Sequence, residues 1–195
     1  GRLMKGITKI TLLAASCSML ASISGCTTTE FDAVVKEDGL NDKPSVFIEP
    51  HLNNCKTQPV CTRIGAEWHD AKPNDASFVV AVNGIHTEIT GASLNIDGET
   101  IALTELVGLD DTFYRQHNLW TMNWDSTHQT FLSSIDVVKK LANAELSSLT
   151  IEATNGTYTD TIYGGHGHRA ESYDAMWRFL HEVDNFSPSV ISDFD

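Results

Sequence analysis

Residues 93–103 read SLNIDGETIAL, two short β-prone segments on either side of Asp97-Gly98. An Asp-Gly pair supplies the positive φ angles that a two-residue type I′ turn needs, so this stretch reads as a β-hairpin. The same device recurs on both sides of it. Asn83-Gly84 lies between FVVAV (78–82) and IHTEI (85–89), and Asn155-Gly156 lies between LTIEAT (149–154) and TYTDTI (157–162). For the first of these the expected register pairs Val82 with Ile85, Val80 with Thr87 and Phe78 with Ile89, giving one apolar face. Ala81 with His86 and Val79 with Glu88 then fall on the opposite face. Gly91 permits a bulge before the strand continues to Asp97.

Farther out, Asn118–Trp124 alternates, with Trp120, Met122 and Trp124 on one face, and a strand is expected at 129–132. Ser133 then opens a helix near 133–144, with Asp136 three residues on completing a capping-box pattern. Ile135, Val138, Leu141 and Ala142 form its apolar stripe. A second helix is expected near 170–183, with Tyr173, Met176, Trp177 and Leu180 at helical spacing. Strands, helix, hairpin, helix is the order of an α+β domain with a mainly antiparallel, hairpin-rich sheet, curled into a sandwich or partial barrel.

The N-terminus has a different character. From Met4 a short positive region (Lys5, Lys9) precedes an apolar stretch, Ile10 to Ile23, too short for a confident membrane span. Gly1, Arg2 and Leu3 read as upstream, non-native residues. The stretch ends in Leu20-Ala21-Ser22-Ile23-Ser24-Gly25-Cys26, and Ile-Ser-Gly-Cys closely resembles the bacterial lipobox. That resemblance implies a signal peptide over 1–25, cleavage before Cys26 and lipidation of Cys26, which carries palmitate and anchors the chain to the membrane. A buried helix or an ordinary secretory signal is the competing reading; charge, apolar length and terminal motif together favour the lipobox. Thr27 stands where the family's sorting rule places Asp for inner-membrane retention. The resemblance therefore implies the outer membrane, periplasmic face.

Residues 26–44 are polar and acidic and read as a flexible tether, with one globular domain over 45–195. Cys17 falls in the signal segment and Cys26 carries lipid, which leaves Cys55 and Cys61 in an oxidising compartment. They enclose Lys-Thr-Gln-Pro-Val, a short loop able to bring the two within bridging distance, and a disulfide is expected. Removing Arg2, Lys5 and Lys9 leaves 10 basic residues against 26 acidic ones, a net of −16. Such a surface repels nucleic acid and anionic headgroups and attracts cationic partners; solubility is the plainer explanation of the same charge.

No Gly-x-Ser-x-Gly, His-Glu-x-x-His, Walker or Gly-x-Gly-x-x-Gly signature is present, and no cofactor is implied. Gly164-Gly165-His166-Gly167-His168 is the candidate metal segment, since two histidines at this spacing share one side of an extended chain. Ordinary turn histidines explain it as well. Glu67-Trp68-His69-Asp70 puts Glu67 and His69 on one strand face, suited either to acid–base work or to a surface salt bridge beside a buried Trp68. Trp120, Met122 and Trp124 are a candidate partner or ligand surface, or simply core. Three function classes follow. A non-enzymatic binding module of the envelope comes first, an inhibitor or immunity-type protein for a basic partner being one form of it. A small-ligand or metal carrier using His166 and His168 comes second, and a hydrolase of envelope polymers third.

Overall fold

In the computed structural model, which describes residues 33–36, 43–56, 59–106 and 126–191, two antiparallel sheets face each other across one core. The larger has the order β1-β2-β3-β4-β8-β7, built from Val34–Lys36, Ser45–Leu52, Cys61–His69, Asp75–Asn83, Ser126–Ser134 and Thr104–Glu105 for β1, β2, β3, β4, β8 and β7. The smaller has the order β10-β9-β5-β6, from Gly156–Tyr163, Ser147–Ala153, Ile89–Ile96 and Glu99–Ala102 for β10, β9, β5 and β6. Three helices, α1 (Ile135–Ala142), α2 (Glu171–Phe186) and α3 (Pro188–Ile191), complete the α+β, sandwich-like architecture. It is not a closed barrel. The short α3 was not foreseen in the sequence.

Side chains that alternate between the two faces of each strand explain the layering, although β3 and β4 are buried along nearly their whole length. Ile64, Ala66 and Trp68 of β3 and Phe78, Val80 and Val82 of β4 face the core, opposite Leu94 and Ile96 of β5 and Leu149 and Ile151 of β9. Ile135, Val138, Leu141 and Ala142 of α1 are buried as the stripe predicts. Its cap is Ser134, whose hydroxyl accepts from Val137 N–H at 3.4 Å. Ser133 does not cap, because the helix starts at Ile135 and Ser133 stands one residue too early, opposite Ala76 in β8. Along α2 the buried face is Ser172, Ala175, Met176, Phe179, Leu180 and Val183, and Trp177 is exposed. Tyr173 is partly buried and stacks on Tyr163, ring centroids 4.6 Å apart.

The three hairpin signals fare differently. Asp97 and Gly98 take φ 50° and 89°, and Ile96 pairs with Glu99, as a two-residue turn requires. Asn155-Gly156 marks a hairpin whose two-residue turn sits one residue earlier than expected: Gly156 pairs with Ala153, so Thr154 and Asn155 make the turn. The Thr154 N–H donates to Glu88 O at 3.0 Å and the Thr87 hydroxyl to Asn155 Oδ1 at 2.6 Å, so a neighbouring segment fixes the turn. Asn83-Gly84 is no hairpin at all. Asn83 pairs with both Cys61 and Ser126, which leaves β4 no open edge, and residues 85–88 cross instead to the second sheet. Gly84 (φ 81°) makes that exit, with Pro59 O only 2.8 Å from where a Cβ would stand. Gly91 marks the expected bulge, a register shift between Ile89 and Gly91. One correction concerns the expected tether: Val34–Lys36 inside it forms an edge strand on β2, Val34 opposite Phe47, because Ala33 and Val35 pack against the core.

Candidate functional site

The four-stranded sheet turns one face to the core and the other to solvent. Register places the outward residues in rows across the strands. Thr159, Thr150, Ser93 and Ala102 make one row; Thr161, Ser148, Asn95 and Thr100 make the next; Thr157, Glu152 and Gly91 make a third. Hydroxyl and amide groups bond across the rows, Thr150 Oγ1 with Thr159 Oγ1 at 2.9 Å and Asn95 Nδ2 to Thr100 Oγ1 at 3.2 Å. β-branched threonines suit a pleated, half-solvated surface, which is why such a face forms from this sequence.

Charge is distributed unevenly around it. β5, β6, β9, β10 and the turns at 97–98 and 154–155 contain no Lys, Arg or His. Exposed carboxylates come from Glu88 before β5, Asp97 in the turn, Glu99 at the start of β6, Glu145 before β9 and Glu152 within it. Asp97 Oδ1 accepts from the N–H groups of Glu145 and Leu146 at 2.9 and 2.8 Å, locking this corner and presenting Leu146 to solvent at 56% exposure. Lys140 of α1 reaches Glu99 at 3.4 Å from outside the sheet. The face can exchange hydrogen bonds and attract cations. It holds no nucleophile–base pair.

Of the residues singled out in the sequence, Cys55 and Cys61 are joined in a disulfide, Cα atoms 5.2 Å apart. Glu67 and His69 do share a face, and His69 Nε2 stands 3.0 Å from Glu67 Oε1. They are 1% and 2% exposed, so the pair is buried and not at the surface as the sequence reading has it. His166 and His168 are exposed, in a closed loop and not an extended segment. Gly164 N–H donates to His168 O at 2.9 Å, His168 N–H donates to Gly165 O at 3.0 Å, and Gly165 and Gly167 take positive φ. Among the described residues no three His, Cys, Asp or Glu side chains are grouped to hold a metal. Cys26 and the Trp120, Met122 and Trp124 stripe lie outside the described residues.

The chain matches no family model, no curated protein and no solved structure. Its site therefore has to be read from its own chemistry. The sequence reading missed the cation-free sheet although the signal was present: no Lys or Arg occurs between Lys72 and Arg115, nor between Lys140 and Arg169. Topology brings part of each gap, β5 with β6 and β9 with β10, into one layer.

Proposed function

We propose that this is a lipid-anchored protein of the bacterial envelope that acts by binding, and that the open face of its four-stranded sheet receives a basic partner protein. The observation carrying the reading is the lack of any cation in β5, β6, β9 and β10, set against the carboxylates of Glu88, Asp97, Glu99, Glu145 and Glu152 around them. Complementary charge speeds encounter and rejects anionic competitors, while the hydroxyl rows supply hydrogen bonds once docked. An inhibitor or immunity-type protein for a basic effector or lytic enzyme fits this chemistry. Cys26 is the anchor, at the periplasmic face of the outer membrane; Cys26→Ser is expected to abolish palmitate labelling, and continued labelling would remove the anchor from the proposal.

Salt dependence tests the face. The Debye length falls from about 10 Å at 0.1 M to about 3 Å at 1 M, so a charge-steered association slows as salt rises. A basic protein captured by the immobilised domain at low salt should associate more slowly at high salt. It should also associate more slowly with Glu88→Lys and Glu152→Lys. Reversal of Asp184, on α2 and not in the four strands or their turns, should change the rate little. An association rate flat in salt, or equally slowed by Asp184→Lys, would retire this reading.

A further inference from the structure

We propose a second binding site of opposite chemistry: the cavity of about 500 Å³ beside the Cys55–Cys61 disulfide takes a small carboxylate ligand, with Arg63 and Arg169 as its cationic contacts. That volume lies within the range of ordinary small-molecule sites. Arginine is scarce in this chain. Three occur among the described residues, Arg63 on β3, Arg169 before α2 and Arg178 within α2, and all three come to this end of the molecule, two of them in the cavity wall. His51, buried on β2, senses the same positive potential: burial, and after it Arg178 and Arg63, lower its pKa to about 4.

Arg63 is held in place and still has donors to offer. The Asn83 amide oxygen accepts from its Nε at 2.7 Å and its Nη2 at 2.9 Å, which leaves three of the five guanidinium N–H groups. Glu171 and Glu49 are the carboxylates that act on it. Glu171 is exposed, so a ligand carboxylate competes with a solvated side chain and not with a buried ion pair. Arg169, 59% exposed, gives its Nε to Asp174 at 3.0 Å and keeps its other donors. Ala170 and Glu171 bring the start of α2 into the wall, where no side chain caps the helix. Tyr173 N–H is taken by Ala170 O at 3.1 Å, so what this end adds is the positive pole of the helix dipole. The remaining wall is the disulfide with Pro59 and Leu52, a surface for a small apolar body, together with the polar Asn53 and Asn54.

The cavity is also rigid, as a preformed site should be. Behind it Asp160 Oδ2 accepts from Thr62 N–H at 2.8 Å and Thr62 Oγ1 at 2.9 Å, Asn53 Nδ2 donates to Thr62 Oγ1 at 2.9 Å, and Ser172 Oγ donates to Asn53 Oδ1 at 2.5 Å. These bonds tie β2, β3, β10 and α2 together. The ligand chemistry is thus a carboxylate next to a small apolar group, as in a free amino acid or the C-terminal end of a peptide. A ligand amine, where present, would face Glu171.

Calorimetric titration of the oxidised protein with acetyl-alanyl-alanine, with its C-terminal amide and with free alanine tests the assignment. The acid is expected to bind and the amide not. Binding of free alanine in place of the acetylated acid supports the site equally and adds Glu171→Gln as the variant that loses it. Arg169→Ala, an exposed change with little risk to folding, should weaken binding several-fold. Arg63→Lys keeps the charge but loses the fork and should weaken it about tenfold. Equal affinity for acid and amide, no heat from any of the three, or full affinity in Arg169→Ala would each overturn the assignment. Glu152→Lys should leave these titrations unchanged, so this site and the acidic sheet face stand or fall separately.

Discussion

At the scale of single residues, two positions show how tightly the larger sheet is built. Gly65 faces the register shift between Ile48 and His51 on β2. A Cβ there would stand 2.7 Å from the Glu49 carbonyl carbon and the Pro50 nitrogen, and closer still to Ile48 O. These are backbone atoms that cannot swing aside, so Gly65→Ala should cost on the order of 1–3 kcal/mol in urea denaturation. His51 lies beside that shift, buried and facing Arg178 and Arg63, with its pKa lowered from 6.5 to about 4. The unfolded chain then binds more protons than the folded one between those two values. His51's contribution to stability is therefore complete above pH 6.5 and is lost as pH falls toward 4. Between pH 7 and 5, a range mostly above carboxylate titration, the loss from this group is about 2 kcal/mol. Urea unfolding at the two pH values should reveal it, and His51→Gln should remove most of the difference. An unchanged pH slope in that variant would show that His51 does not set it.

Between elements, the informative contact is the one joining the disulfide loop to β10. Asp160 is buried at 4% exposure and accepts from Lys56 N–H at 2.9 Å as well as from Thr62. One carboxylate thus fastens both ends of the segment that Cys55 and Cys61 also close. Asp160→Ala strands these donors and should destabilise the oxidised protein by about 3 kcal/mol. Because both devices restrain the same loop, their effects should not add. In a Cys55→Ser, Cys61→Ser background the cost of Asp160→Ala should be measurably smaller, and equal costs in the two backgrounds would mean the restraints are independent. Elements of this kind also mark what the sequence makes legible. Asp97-Gly98 reads correctly because a two-residue turn is a local object whose φ angles its own residues supply. Asn155-Gly156 reads one step off because Thr87 and Glu88, far away in sequence, clamp the turn. Asn83-Gly84 misleads because β3 and β8 already occupy both edges of β4, and edge occupancy is written nowhere near residues 83–84. The parity of β4 was nevertheless legible: Phe78, Val80 and Val82 face the core as their alternation requires.

For the whole molecule, a lipid on Cys26, as proposed, would set the distance from the membrane by how much chain lies between Cys26 and the fold. The candidate sites were hardly legible at this scale. The sequence pointed to His166 and His168, whereas the cation-free gaps and the gathered arginines acquire meaning only when the topology brings distant segments together. The tether is a similar case. Residues 27–44 are mostly polar and acidic, yet Val34–Lys36 is a strand on β2, with Ala33 and Val35 packed on the core. If Cys26 carries the lipid, seven residues, 27–33, separate it from folded structure. Even fully extended they reach about 25 Å, against roughly 60 Å for a free 18-residue tether. The domain would then sit close to the bilayer, its acidic sheet within short range of a partner moving along the membrane. Removal of β1 tests this. A chain beginning at Lys43 should melt lower than one beginning at Thr27, because it exposes the β2 edge and uncovers apolar surface worth about 2 kcal/mol, or roughly 5 °C in a domain of this size. A chain beginning at Ala33 should match the longer one. Equal melting temperatures for all three would mean that Val34–Lys36 adds nothing to the fold and that the full 18-residue reach is available to the domain.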